Sequence, residues 1–215
     1  MAKRRGRSPR KDKPLGRSSG HLTPKRTFLV FCEGKRTEPD YLKALKRESA
    51  VRDIAAVEIK VDDIQGVPLT LVGAAVEARA LAQNSEVDEV WCLFDVEWPN
   101  NHPDLEQARN LAGDKNVHVA ISNPCFELWL ALHFQDQTAW LNNDQADQLL
   151  RRHDNSEGKG LDDTTYMPHR AEASRRARAL DHKHSKDGTH FPHDNPSSGM
   201  YMFLESINQS PKDQR

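Results

Sequence analysis

The stretch FLVFCEGKRTEPDYLKAL, residues Phe28 to Leu45, joins an apolar run to a helical pattern. Its first four residues are apolar, are too few for a helix and lie before a glycine, so they predict a buried strand. Glu33 follows where the chain leaves this strand, and Gly34 allows a tight turn there. The predicted strand therefore ends in a carboxylate, at the position where open α/β sheets place ligand sites.

A helix is predicted directly after this turn. Thr37 is expected to cap the helix, with Asp40 at the reciprocal position of a capping box. Pro39 falls in the first turn, where the missing N–H of a proline costs nothing. Tyr41 and Leu45 belong to the apolar face that such a helix would pack against a sheet.

The alternation of strand and helix continues to residue 121. The patterns predict a strand at 57–61, a helix at 69–84, a strand at 88–95, a helix at 105–112 and a strand at 117–121. Alternation at this spacing implies right-handed crossovers, and hence an α/β fold with a mainly parallel four-stranded sheet and helices on both faces. The strands at 28–31 and 88–95 are the most apolar, so we expect them side by side at the centre.

The segment SNPCFELWLALHF, residues 122–134, predicts a buried helix because it is apolar almost all round. Ser122 or Asn123 is expected to cap it. Glu127 and His133 are its polar residues. A buried carboxylate is costly unless it is paired or binds a cation, so we expect hydrogen bonds to hold Glu127. His133 is expected to be a core histidine with its hydrogen bonds satisfied.

Beyond residue 135 the patterns are weaker. They predict helices at 146–150 and 171–180, and a last helix that opens at Asn195 and Pro196. The histidines at positions 182, 184, 190 and 193 lack convincing zinc-site spacing, so we expect them in a solvated loop.

The bulk composition predicts one α/β domain with tails. The chain has 215 residues, of which 36% are hydrophobic and 29% charged, and no apolar run approaches the roughly 20 residues that span a bilayer. No apolar segment follows the basic N-terminal residues as in a secretory signal, which predicts a cytoplasmic protein. Cys32, Cys92 and Cys125 each lie in an apolar context and are expected to be reduced core residues.

The N-terminal residues are strongly basic. Residues 1–27 contain ten Lys or Arg against a single acid, Asp12, a net charge of +9; since the whole chain carries −1, the remainder carries −10. We expect a disordered basic arm at 1–26, the α/β domain at 27–207 and a disordered tail at 208–215. The arm could neutralise phosphates of nucleic acid or of a nucleic-acid-bound partner. It could equally be a solvated tail that aids solubility.

Three acids are expected to meet at one edge of the sheet. Glu33 follows the first strand, and Asp95 and Glu97 follow the third, two residues apart in what reads as an extended segment. Such oxygen ligands suit Mg²⁺ or Mn²⁺, and a divalent ion there could activate water and offset charge on a phosphodiester. Lys35 and Arg36 could hold the same phosphate. The alternative is that each acid merely caps a loop or a helix.

These motifs carry a family resemblance. EGKRTEPDYLKAL, DEVWCLFDVE and SNPCFELWLALHF resemble, in this order, the RloB family, and NPSSGMYMFLESI resembles its closing helix. The likeness spans about Thr27 to Ile207. It implies a domain related to the Toprim fold, in which a Glu and a pair of acids bind Mg²⁺ and cut or join phosphodiester bonds.

By position, the resemblance implies that Glu33 is a general acid/base or metal ligand and that Asp95 and Glu97 are metal ligands. Glu97 stands where the Toprim pattern has Asp, one methylene shorter. Glu38, Asn123 and Glu127 are expected to contact these ligand residues and hold them in position without binding the metal themselves.

The resemblance also implies a setting: proteins of this family are associated with restriction-modification and phage-defence loci, often encoded beside an ATPase. The resulting prediction is a Mg²⁺-dependent nuclease acting on DNA or RNA. Two alternatives stay open: a non-catalytic module that binds nucleic acid or regulates a partner ATPase, and a phosphohydrolase or nucleotidyl transferase acting on small nucleotides.

Overall fold

A computed structural model describes residues 25–61, 67–82, 87–154 and 161–209. Most of the basic arm, residues 1–24, and the end of the tail, residues 210–215, lie outside the described residues. Arg26, which the sequence analysis counts with the arm, is instead a buried residue of the first strand and forms an ion pair with Glu89.

The sheet has five strands rather than the four expected. They are β1 (Arg26–Cys32), β2 (Ala55–Val61), β3 (Glu89–Asp95), β4 (His118–Asn123) and β5 (Ser197–Ser198), in the spatial order β2-β1-β3-β4-β5. The first four are parallel, and β1 lies beside β3 at the centre, as predicted. β5 pairs antiparallel with the end of β4. β5 is not predictable from local sequence, because its two serines carry no alternating pattern.

Nine helices occur in the described parts of the chain. They are α1 (Thr37–Arg47), α2 (Ser49–Arg52), α3 (Pro68–Leu81), α4 (Leu105–Asp114), α5 (Phe126–Ala131), α6 (Asn143–Arg151), α7 (Asp163–Tyr166), α8 (Arg170–Asp187) and α9 (Met200–Asn208). A 3₁₀ turn, Met167–His169, links α7 to α8.

The helices cover both faces of the sheet, as predicted. Alternate β1 residues point to opposite sides: Phe28 and Val30 pack in the core shared with α1, α5 and α9, whereas Leu29 packs in the core formed with α3 and α4. Burial on both faces explains why the central strands are continuously apolar.

The start of α1 differs from the prediction. Thr37 is the first helical residue rather than the cap, and neither side of a capping box forms. The Asp40 carboxylate pairs with Lys43 at 2.9 Å. Glu38 bends back instead, and its Oε1 accepts the N–H of Gly34 at 3.1 Å. A buried carboxylate in the first turn of α1 therefore provides the hydrogen-bond acceptor for the backbone N–H of this loop.

The predicted helix at 122–134 is also shorter. Ser122 and Asn123 belong to β4 and pair with β5, so they are not caps, and α5 begins at Phe126. Strand pairing decides here because it satisfies the backbone groups on both sides. His133 is a core histidine, as predicted, with its ring nitrogens 3.2 Å from Tyr41 Oη and 3.0 Å from the Trp129 carbonyl.

The two C-terminal helices differ from the prediction: α8 extends further than expected, and α9 starts later. α8 continues to Asp187, so the histidines at 182 and 184 are helical rather than in a loop. His184 is buried and lies 2.9 Å from the carbonyl of Pro196. The last helix begins at Met200, because β5 occupies the residues before it.

The three cysteines are free and buried, as predicted. Burial raises the pKa of each thiol. No helix within the described ranges is long and apolar enough to cross a membrane.

Candidate functional site at the strand ends

The adjacency of β1 and β3 brings Glu33 and Asp95 together. The N–H of Glu33 donates to the carbonyl of Leu93 at 3.1 Å, which extends the ladder one residue beyond β1. The N–H of Asp95 donates to Glu33 Oε2, also at 3.1 Å. The other oxygen, Oε1, lies 2.9 Å from Nε2 of His102. Both oxygens of Glu33 are thus in contact with groups of its own chain.

Asp95, the last residue of β3, contacts the start of α5. Its Oδ2 accepts the N–H of Phe126, the first residue of α5, at 3.2 Å. Burial raises the pKa of the Asp95 carboxyl, and the negative charges of Glu38, Glu127 and Glu33 raise it further. Glu38 and Glu127 thus place negative charge beside Asp95, and this charge opposes ionisation of the Asp95 carboxyl.

Glu97 does not continue the strand in the extended geometry expected. Its φ is 64°, in the left-handed region that residues other than glycine rarely adopt. Its N–H donates to the carbonyl of Pro124 at 2.8 Å, which holds this turn. Such backbone strain costs on the order of 1 kcal/mol or more and is concentrated at functional sites.

A cavity of about 440 Å³ opens at this edge of the sheet. Six carboxylates line it: Glu38, Asp95, Glu97, Glu127, Asp144 and Asp147. Asp95 and Glu97 thus line one cavity together with Glu38 and Glu127. Glu33 does not line the cavity, but it accepts the backbone N–H of the lining residue Asp95.

α6 forms one wall of the cavity, and the sequence did not predict that its acids belong to the site. Asp144 and Asp147 lie three residues apart on one face of this helix. A capping box between Asn142 and Gln145 fixes the start of α6, with hydrogen bonds of 2.9 Å in both directions. Asn142 and Gln145 have the spacing of a capping box in the sequence, but no local pattern places this helix against α5.

Glu38 is only 5% exposed, and burial raises its pKa, with the charge of Glu127 adding to the effect. Glu38 therefore lines the cavity itself, and the negative charge of Glu127 disfavours ionisation of its carboxyl.

Asn123 is placed differently from the expectation. Its Oδ1 accepts the indole N–H of Trp98 at 2.8 Å, and its Nδ2 donates to the Pro192 carbonyl and to Asp194, each at 2.9 Å. These contacts of the Asn123 amide anchor Trp98, in the segment after Glu97. Lys35 and Arg36 are exposed in the loop between β1 and α1 and do not line the cavity.

The donor chemistry of the cavity fits a hard divalent cation, since carboxylate oxygens are the ligands that Mg²⁺ and Mn²⁺ prefer. Among the described residues, no group of three or more His, Cys, Asp or Glu is arranged closely enough to hold a metal ion by itself. Mg²⁺ usually takes only one or two carboxylates and completes its shell with water and phosphate oxygens, so Asp95 with one neighbouring acid would suffice.

Fold and site together define an α/β protein whose mostly parallel sheet carries an acid-lined cavity at the carboxyl ends of its central strands. The family model of the RloB-like proteins matches residues 28–207. The chain therefore belongs to the RloB-like protein family. No curated protein and no solved structure matches it.

Proposed function

We propose that this protein is a Mg²⁺-dependent or Mn²⁺-dependent nuclease of the Toprim type that cuts phosphodiester bonds of DNA or RNA. The observation that carries the proposal is the position of Asp95. Its half-buried carboxyl lies at the end of β3, where desolvation and then the charges of Glu38, Glu127 and Glu33 raise its pKa. A divalent cation would relieve this repulsion and would bring a phosphate with it.

The chain supplies distinct groups for this chemistry. Asp95 and Glu97 would hold the cation, which when bound polarises a phosphate oxygen and activates water. Glu33 would act as general acid/base or as a further ligand, oriented by the hydrogen bond from the Asp95 N–H, with His102 Nε2 2.9 Å from its other oxygen. Lys35 and Arg36, both exposed beside the strand end, would contact phosphates of the substrate.

The setting is part of the same proposal. The basic N-terminal residues would attract nucleic acid, and the nuclease would act in the cytoplasm in phage defence or beside a restriction-modification system, together with a partner ATPase. Membership of the RloB-like family supports this setting.

Asp95→Asn tests the proposal. We expect wild-type protein to cut single-stranded or double-stranded DNA or RNA when Mg²⁺ or Mn²⁺ is present, and the variant to lose about 100-fold or more of that rate. Asp40→Asn, an acid of α1 outside the cavity that pairs with Lys43, is the matched control and should cut normally. Cutting that persists in Asp95→Asn would refute the proposal.

Absence of cutting by the wild type, alone and with the ATPase, would favour a non-catalytic module that binds nucleic acid or regulates that ATPase. Binding would then weaken steeply with salt, because released counterions drive it, and no metal would support turnover.

A further inference from the structure

We propose that Trp140, together with Trp98, forms a stacking subsite for an unpaired nucleobase beside the acid-lined cavity. The substrate of the nuclease would then be single-stranded nucleic acid. This inference rests on the proposed function and names its substrate class.

The two indoles form a small aromatic surface. Trp140 is 52% exposed, an unusual degree for a tryptophan, and its ring lies 6.0 Å from that of Trp98 at an interplanar angle of 70°. His193 also contacts Trp98, with ring centroids 6.3 Å apart. An edge-to-face contact leaves a face of the outer ring available, and an exposed π-face of this kind accepts a base irrespective of its sequence.

The surface is continuous with the cavity. Trp98 follows the cavity residue Glu97, and its backbone N–H donates to Asn143 Oδ1 at 2.9 Å, while the N–H of Asn143 donates back to the Trp98 carbonyl at 3.2 Å. Asn143 lines the cavity itself. A base stacked on Trp140 would therefore belong to a nucleotide close to the phosphate held at Asp95.

Trp140 is exposed on a fixed backbone. The next residue, Leu141, donates its N–H to Asn195 Oδ1 at 3.1 Å and accepts from Asn195 Nδ2 at 2.8 Å. Asn195 is buried, and the capping box of α6 begins at Asn142. A rigidly mounted aromatic ring loses little conformational entropy on binding, which is the property of a preformed subsite.

A base inside a duplex is already stacked on both faces, so Trp140 would have nothing to gain from paired strands. Single strands present free base faces, and stacking on an aromatic side chain contributes about 1–3 kcal/mol per base. The geometry therefore selects unpaired over paired nucleic acid without reading sequence.

The test is a binding titration of the full chain in EDTA at low salt, with tryptophan fluorescence and anisotropy as readouts. The probes are oligothymidylate and oligouridylate of about 20 nucleotides, the same backbone without bases, and a duplex. We expect both base-bearing single strands to quench the fluorescence. Trp140→Leu should weaken their binding roughly 5- to 150-fold, whereas Trp140→Phe should retain most of it.

The controls separate stacking from other effects. Leu81→Ala, which removes an 84% exposed apolar side chain from α3, should leave binding unchanged. Trp140→Leu should not alter binding of the baseless backbone. Equal affinity of wild type and Trp140→Leu for the single strands would overturn the inference, as would absence of binding, which would leave Trp140 as a contact for a protein partner. Because EDTA prevents metal-dependent cutting, either failure is distinct from the loss of cleavage in Asp95→Asn.

Discussion

The backbone N–H of Asp95 donates a hydrogen bond to Glu33 Oε2 at 3.1 Å, so the carboxylate that follows β1 is tied to the end of β3. Two strands that are 62 residues apart in sequence at this point thereby share one polar junction. Glu33 and Asp95 are thus in contact, and Asp95 lines the cavity whereas Glu33 does not.

Asp95→Asn should raise the stability of the metal-free protein. Burial and neighbouring charges raise the pKa of Asp95 in the folded state above the unfolded value of about 3.9. The carboxyl therefore favours folding below that pH, and the benefit is lost as pH rises through the folded pKa. Asparagine keeps an oxygen for the Phe126 N–H. The Tm advantage of the variant in EDTA should thus grow above pH 4, by about 2–4 °C for each kcal/mol.

The same variant should lose the response to metal. Mg²⁺ or Mn²⁺ should raise the Tm of the wild type by mass action and leave that of Asp95→Asn nearly unchanged. A similar metal-induced rise in both proteins, measured by scanning calorimetry, would place the cation elsewhere.

Gly34→Ala should displace Glu38 from the cavity. A Cβ at Gly34 would overlap the Glu38 carboxylate, and this is the movable end of a side chain rather than backbone. We expect a stability change within about 1 kcal/mol and a 10- to 100-fold loss, roughly, in Mn²⁺ affinity by calorimetric titration. Gly73→Ala in α3 is the control, since its Cβ would meet nothing within 4 Å. Unchanged Mn²⁺ affinity in Gly34→Ala would show that Glu38 plays no part in binding.

His133 should destabilise the protein in acid. Burial lowers its pKa to about 4, because the ring sits among Trp129, Tyr41 and Tyr166. The contribution of neutral His133 to the free energy of unfolding is complete above the unfolded pKa of about 6.5 and is lost as the pH falls towards 4. The loss amounts to about 3 kcal/mol.

Urea unfolding between pH 7 and 4 checks this effect. His133→Gln cannot take up the proton, so its free energy of unfolding should fall less over this range than that of the wild type. His182→Gln, on the exposed side of α8, is the control. Parallel pH profiles of the wild type and His133→Gln would contradict the assignment.

Glu89→Gln should be strongly destabilising, by about 3–5 kcal/mol, because it leaves the buried Arg26 guanidinium without its counterion. Arg26 also donates to the Ser206 carbonyl, so the pair joins β1 and β3 to α9. The double variant Arg26→Met with Glu89→Gln should lose less than the sum of the single losses.

An exposed ion pair provides the comparison. Asp163→Asn breaks the 2.8 Å contact with Arg47 at the surface and should cost less than about 1 kcal/mol in urea unfolding. Additive losses at Arg26 and Glu89 would mean that the two charges act independently.

Much of the sheet could be predicted from local sequence, because the information is local. The apolar run at Phe28 and the run before Asp95 are each short enough to read as one strand, and their apolar character on both faces places them at the centre. The two serines of β5 contain no such pattern. Their pairing with β4 depends on α8 and α9, which bring that segment back to the sheet edge.

An acid that directly follows a strand could be placed at this edge of the sheet from the sequence. Glu33 and Asp95 meet this condition, and parallel strand order makes them neighbours. Asp144 and His102 do not, because each lies in or after a loop whose path no periodic pattern describes. Glu97 was assigned to an extended segment, and its left-handed backbone follows from a hydrogen bond to Pro124 that is distant in sequence.

The sequence by itself determined the order of the four parallel strands and of the main helices between them, the central pair of strands and the family to which the chain belongs, since these depend on short apolar patterns and contiguous motifs. Only the tertiary structure decided which carboxylates line the cavity and that Trp140 stands beside it. The physical reason is that long-range hydrogen bonds place these groups, such as the pair between Asn195 and Leu141, which lie 54 residues apart.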